Sequence, residues 1–132
     1  MVEGKAPSVL VVEDYADTRD SLVVLLSMSG YLTVGVANGQ QALDYLHSNP
    51  LPSLILLDLR MPVMSGVEFL QRRQADPALA AIPVLVYSGG GALAQEAATY
   101  GVPAYCAKPG SPDQLLGLVA SFCEGPHAVD RN

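Results

Sequence analysis

Five short apolar runs recur along the chain at nearly even spacing, and this recurrence restricts the fold more than any other feature. They are Val9-Leu10-Val11-Val12, Leu32-Thr33-Val34-Gly35-Val36, Leu54-Ile55-Leu56-Leu57, Val84-Leu85-Val86-Tyr87 and Ala104-Tyr105-Cys106-Ala107. Each has the length and the bounding turn residues of a strand. Their hydrophobicity is continuous rather than alternating, which predicts burial on both faces, as in a parallel sheet. The fifth run is the weakest, because two alanines dilute it.

Helical patterns fill the intervals. Residues 16–28 place Leu22, Val23, Leu25 and Leu26 on one side and Asp17, Arg19 and Asp20 on the other, and Gly30 suits the end of that helix. Asn38-Gly39-Gln40-Gln41 reads as a capping box ahead of Ala42, Leu43 and Leu46. Residues 65–74 carry Val67, Phe69 and Leu70, and Pro77 follows. An alanine-rich helix over 92–100 stops at Gly101. Ser111-Pro112-Asp113-Gln114 caps a last helix, with Leu115, Leu116, Leu118, Val119 and Phe122 at helical spacing. Strand and helix thus alternate five times. That order predicts one parallel sheet with helices on both faces, and 132 residues suffice for about one such domain.

Composition removes several classes of function. Half the residues are apolar, which excludes a disordered chain. The apolar runs fall far short of the roughly 20 residues that span a bilayer. Met1-Val2-Glu3-Gly4-Lys5 is not a secretion signal. Cys106 and Cys123 have neither metal-site nor redox-pair spacing, so reduced thiols and a cytoplasmic location are expected. A net charge of −6 with no basic stripe argues against direct binding to nucleic acid.

In an open parallel sheet the carboxyl ends of the strands share one edge, where ligands bind. The residues after each run are therefore informative. The first run ends in Glu13-Asp14, the third in Asp58, the fourth in Ser88 and the fifth in Lys108-Pro109; only the second ends blandly, at Ala37-Asn38. Taken singly, each fits a wet loop or turn. Together they place three carboxylates, a hydroxyl and an ammonium on one rim. Three packed carboxylates repel, and a divalent cation relieves this. All candidate ligands are oxygens, which suits Mg2+ or Mn2+ and not zinc. Such a balanced site receives an anionic phosphoryl group, and Asp58, ending a central strand, is the candidate nucleophile for an acyl phosphate.

The residues that carry this reading resemble a known family, the receiver domain of two-component response regulators. The resemblance spans about residues 8–123. It rests on Val11-Val12-Glu13-Asp14, Leu57-Asp58-Leu59-Arg60-Met61-Pro62-Val63-Met64-Ser65-Gly66, Val86-Tyr87-Ser88-Gly89 and Lys108-Pro109. It implies a doubly wound, flavodoxin-like (βα)5 fold with strand order 2-1-3-4-5. It implies Asp58 as acceptor of a phosphoryl group from a histidine kinase or phosphotransfer protein. Asp14, Asp58 and the backbone carbonyl of Arg60 would ligate Mg2+, with Glu13 assisting through water. Ser88 and Lys108 would grip the phosphoryl oxygens, and Tyr105 occupies the place of the switching aromatic. Pro62, Gly66 and Pro109 would shape the loops. The switched face would comprise the fourth helix (α4, 92–100), the fifth strand (β5) and the fifth helix (α5), and would bind a downstream protein. The expected organisation of this stretch is a flexible start over 1–7, a receiver over 8–124, a flexible tail over 125–132 and no output domain within it, whether as a stand-alone receiver or as part of a longer protein.

Some residues depart from that pattern. Gly89-Gly90-Gly91 after Ser88 predicts a mobile loop and a shallow switch. Arg60 is left open between the phosphoryl group, Glu13 and solvent, and Tyr15 between the metal site and an exposed loop. Leu93, Ala94, Ala97 and Ala98 offer a surface for a homodimer or for the core. Other functions compete. An aspartyl-nucleophile phosphatase usually has a second acid two residues past its nucleophile, where this chain has Arg60. A flavin protein of similar topology needs a phosphate-holding loop after the first strand, where Glu13-Asp14 would repel the flavin phosphate. A receiver that no longer takes phosphate is disfavoured, because every key residue is present. The expectation is a binding switch, not an enzyme, whose only catalysis is its own phosphoryl transfer and slow dephosphorylation.

Overall fold

A computed structural model describes residues 7–59, 61, 63–89, 95, 98–99, 101–102, 104–108 and 111–123. Strands β1 (Ser8–Val12), β2 (Leu32–Val36), β3 (Leu54–Leu57), β4 (Val84–Ser88) and β5 (Ala104–Ala107) form one sheet in the order β2-β1-β3-β4-β5. Every pairing is parallel. Helices α1 (Ala16–Met28), α2 (Gly39–Ser48), α3 (Gly66–Gln74) and α5 (Pro112–Cys123) accompany the strands. Within the span expected for α4, Gln95, Ala98 and Thr99 are helical, and the other positions lie outside the described residues, as do the two terminal segments 1–6 and 124–132. The single parallel sheet expected from the alternating pattern is present, and its strand order is the 2-1-3-4-5 that the resemblance implied.

Side-chain alternation along β1 divides the core. Leu10 and Val12 pack with Ala42, Leu43 and Leu46 of α2 and with Phe69 and Leu70 of α3. Val9 and Val11 pack with Leu22 and Leu26 of α1 and with Leu115 and Val119 of α5. Each face of the sheet therefore has its own apolar layer.

Burial on both faces holds for β1, β3 and β4, and not for β2 and β5. In β2, Leu32, Val34 and Gly35 are exposed, and in β5 only Cys106 is buried. Both are edge strands, flanked by one neighbour instead of two. This explains why the fifth run was the most dilute. Cys106 and Cys123 form no disulfide, and burial pushes the Cys106 thiol pKa up. Among the described residues, no helix is long and apolar enough to cross a membrane.

The helix starts follow their capping residues with one difference. Asn38 accepts a hydrogen bond from Gln41 N at 2.9 Å, as a capping box requires. The Gln41 side chain, however, accepts from Ala37 N at 2.8 Å, one residue before the expected partner. Ser65 and Glu68 form a complete capping box at α3. A single helical turn at Pro77–Ala80 was not anticipated. Its signal was present: Asp76 caps Ala78 N at 3.1 Å, with proline at the first position. Arg73, buried, donates from Nη2 to the carbonyls of Ala80 and Ile82 at 2.9 and 2.8 Å, tying α3 to the approach of β4.

Gly30 closes α1 at φ +99°, as its position predicted. Val63 is different. It lies between β3 and α3 at φ +67°, and the residue is 81% exposed. A β-branched residue in the left-handed region is strained by about 1–3 kcal/mol. Exposure means that the side chain returns little packing energy. Val63→Gly is therefore expected to stabilise the protein by about 1 kcal/mol, after allowing for the greater freedom of glycine in the unfolded chain. Urea melts followed by circular dichroism measure this. An unchanged or lower midpoint would show that the loop carries no strain to release.

Candidate functional site

The strand ends deliver their polar residues to one rim because the backbone ladder continues past the strands. Glu13 N donates to Val36 O, Asp58 N to Val12 O and Lys108 N to Ser88 O, at 3.0, 3.0 and 3.1 Å. The residues that carry the side chains are thereby tied to neighbouring strands, not left in free loops.

The side chains then meet. Ser88 Oγ donates to Asp58 Oδ1 at 2.7 Å. Lys108 Nζ donates to Glu13 Oε1 at 2.5 Å and reaches Asp58 Oδ2 at 3.4 Å. Glu13, Asp58 and Ser88 are 2%, 6% and 0% exposed, whereas Asp14 is exposed. Four strand ends thus contribute to a continuous hydrogen-bonded chain, Glu13–Lys108–Asp58–Ser88.

Glu13 carries the heaviest electrostatic load. Burial raises its pKa, and the hydrogen bonds from Lys108 and Tyr15 N pull it back. The negative charge of Asp58 pushes it up again, so the net direction is up. For Lys108, burial works to lower the pKa, but the hydrogen bond and charge of Glu13 and the charge of Asp58 outweigh it, and the net direction is up. One ammonium is shared between two buried carboxylates.

The acids also fit a metal. One oxygen from each of Glu13, Asp14 and Asp58 lies within 4.8 Å of the others. An all-oxygen set of this size suits a hard divalent ion such as Mg2+. Asp14 is the exposed member of the set and would hold the ion from the solvent side.

The remaining expected residues divide into two groups. Gly66 is buried at the start of α3, where its N donates to Leu59 O at 2.9 Å. Tyr105 is on β5, paired in register with Val86, and is 46% exposed. Tyr15 is exposed, and its backbone N donates to Glu13 Oε2 at 3.1 Å. Arg60, Pro62, Pro109, Gly90, Gly91, Leu93, Ala94 and Ala97 lie outside the described residues.

The sequence reading gave one contributor no role. From the polar face of its helix, Arg19 turns back toward the acid loop. Its Nη1 donates to Glu13 O at 3.0 Å and to Asp14 O at 3.4 Å, bracing the acid loop. The signal was Gly35. A glycine inside a strand marks a close approach, and here a Cβ would stand 3.0 Å from Arg19 Cγ.

The pattern of the response regulator receiver domain matches residues 9–120. The chain belongs to that family. It is 34% identical to the response regulator Rre1 of Synechocystis over 118 residues, which cover 87% of this chain and 51% of that protein. It is 31% identical to the sporulation initiation phosphotransferase F of Bacillus subtilis over 114 residues, 86% of this chain and 91% of that one. The chain therefore spans about half the length of the first relative and nearly all of the second. A crystal structure of a response regulator receiver protein from Pseudomonas putida superposes with a TM-score of 0.83 at 32% identity, covering 90% of this chain and 99% of that one. A receiver domain serves two-component phosphorelay signalling, interacting with histidine kinases or phosphotransfer proteins and with downstream targets. Receiver domains bind Mg2+ through an acidic pocket, and Glu13, Asp14 and Asp58 form such a cluster here.

Proposed function

We propose that this receiver accepts a phosphoryl group on Asp58 from a phosphohistidine of a sensor kinase or phosphotransfer protein, in the cytoplasm, and that it acts by binding partners rather than by turning over a substrate. The observation that supports this most is the chain of contacts from Glu13 to Ser88, because it gathers a carboxylate, a hydroxyl and an ammonium around one buried carboxyl group. An Asp58 carboxylate oxygen attacks phosphorus. The phosphorus–nitrogen bond breaks, its electron pair stays on the imidazole, and an acyl phosphate forms. Glu13, Asp14, Asp58 and the Arg60 carbonyl would hold Mg2+. When bound, the ion offsets the carboxylates and the incoming phosphoryl charge.

The Ser88 hydroxyl and the Lys108 ammonium then hold phosphoryl oxygens. Phosphorylation replaces a −1 group by one near −2 with three acceptor oxygens. Ser88 already donates to Asp58, so its hydroxyl transfers from carboxylate to phosphoryl oxygen and draws the residues after β4 with it. A charge-assisted hydrogen bond of about 1.5–3 kcal/mol shifts a two-state equilibrium roughly ten- to a hundredfold. Tyr105 sits on the strand paired with that of Ser88 and is 46% exposed; in the switched state its ring turns inward. The α4–β5–α5 face then presents itself differently to a downstream protein, or to a second copy of the chain.

The test is incubation with acetyl phosphate, with and without Mg2+, followed by intact mass spectrometry. One phosphate is expected, dependent on Mg2+, labile to hydroxylamine and absent in Asp58→Asn. Label that survives Asp58→Asn would move the acceptor elsewhere. Catalytic turnover of an unrelated phosphomonoester would favour an enzyme.

A further inference from the structure

Lysine is a poor fixed point. Its ammonium sits on a flexible four-carbon stem, and holding it in one place costs rotamer entropy. Lys108 nonetheless has to keep its charge between Glu13 and Asp58. Both carboxylates have other demands on their oxygens: Glu13 also accepts from Tyr15 N, and Asp58 from Ser88. Neither is a dedicated anchor for the lysine.

A third partner is present. Lys108 Nζ lies over the ring of Tyr87, 5.7 Å from its centroid. Tyr87 precedes Ser88 on β4, and its register partner on β5 is Cys106, two residues before Lys108. Its side chain packs against the apolar layer that includes Leu22, Leu26, Leu115 and Val119, which holds the ring. Adjacent residues of one strand thus serve opposite sides of the site. Ser88 holds Asp58, and Tyr87 backs the lysine that reaches it. The negative face of an aromatic ring attracts an ammonium within about 6 Å, and more strongly where water is partly excluded; the Lys108 side chain is only 24% exposed.

We infer that Tyr87 is a positioning residue for Lys108, its ring face holding the ammonium in place for the phosphoryl group. This rests on the phosphoacceptor reading of Asp58 and adds a residue to it. The ring, not the hydroxyl, is the active part.

The chain has two lysines, Lys5 and Lys108, so lysine labelled with carbon-13 gives a resolved probe in the full-length protein, with Lys5→Arg assigning the signals. The ε-methylene protons of Lys108 should be displaced upfield by the ring in the parent and in Tyr87→Phe, and should move to the free-lysine position in Tyr87→Leu. In parallel, Mg2+-dependent phosphorylation by acetyl phosphate should slow about three- to tenfold in Tyr87→Leu and stay within about twofold in Tyr87→Phe. Tyr87→Met replaces the leucine variant should that one fail to fold. An undisplaced Lys108 signal in the parent would overturn the inference. So would parent-like phosphorylation of the folded leucine or methionine variant, or a phenylalanine variant as slow as either. Label persisting in Asp58→Asn is a different failure: it removes the phosphoacceptor reading and leaves the ring displacement of Lys108 to be judged on its own.

Discussion

Replacing Lys108 by methionine is expected to slow phosphorylation by about 10- to 100-fold and, without divalent cation, to lower stability by about 3 kcal/mol. The first figure follows from losing a charged donor to the phosphoryl group, worth about 1.5–3 kcal/mol. The second follows from the burial of its partners. Glu13 is 2% exposed and Asp58 6%, and among the described residues Lys108 is a cation that meets both. Removing one side of a buried ion pair costs about 3–5 kcal/mol, because the other side stays desolvated. The lower end applies here, since Glu13 keeps its bond from Tyr15 N. Excess Mg2+ should restore most of the lost stability by binding the folded acids, while phosphorylation stays slow.

The pH dependence separates this from a packing defect. In the parent, Glu13 and Lys108 both have folded-state pKa values above their ordinary ones. A group that binds its proton more tightly when folded stabilises fully below its unfolded pKa and loses that contribution as pH rises through the folded value. For Glu13 that loss begins above its ordinary value of 4.5, and for Lys108 above 10.5. Stability of the metal-free parent should fall with pH in both windows. Lys108→Met should lose the alkaline step and deepen the acidic one, because Glu13 then depends on its own proton for neutrality. Urea melts in EDTA at several pH values, followed by circular dichroism, measure both. A variant whose deficit is the same at every pH would contradict the ion-pair account.

The features legible in the sequence were those with a local cause. Continuous apolar runs marked the strands, and the polar residues after them marked the rim, because a parallel sheet sends all its carboxyl ends to one edge. Ser88 shows the limit of that reading. It was assigned to the position after β4, yet it ends the strand and lies fully buried. Its hydroxyl is tolerated there because Asp58 accepts its hydrogen bond. Nothing in a run of apolar residues reveals such a partner. The contact made by Arg19 was hidden for the related reason that helical periodicity gives the face of a residue but not the reach of a long side chain. From the polar side of α1, its guanidinium extends back to the carbonyls of Glu13 and Asp14. Partner choice was also invisible. Of two adjacent acids, Glu13 is buried and takes the lysine, while Asp14 stays exposed. Only the tertiary structure shows which of them takes the lysine, and it leaves Asp14 on the exposed side of the acidic cluster.

Gly66→Ala is expected to cost about 3 kcal/mol, to lower the melting temperature by roughly 10 °C and to impair phosphorylation of whatever protein remains folded. The reason lies in the backbone. A Cβ at Gly66 would stand 2.3 Å from the carbonyl oxygen of Asp58 and 2.5 Å from Leu59 Cα. Neither atom belongs to a flexible side chain. Relief requires α3 to withdraw from the end of β3, which breaks the bond from Gly66 N to Leu59 O and moves the acceptor residue itself. Overpacking of this kind costs about 1–3 kcal/mol when side chains absorb it, and more when they cannot. Gly39 provides the comparison. It too packs against the segment between β3 and α3, and its N donates to Met64 O at 3.0 Å. A Cβ there would meet Met64 Cγ at 2.8 Å and Sδ at 3.0 Å, with Met64 O also at 3.0 Å. Methionine is the most adaptable of core side chains and can give way. Gly39→Ala should therefore cost about 1 kcal/mol and leave acceptance of phosphate nearly intact. The two variants add the same methyl group at buried helix starts. If their melting temperatures and phosphorylation rates fell equally, the close approach of Gly66 to the Asp58 carbonyl would not be what sets the position of the acceptor.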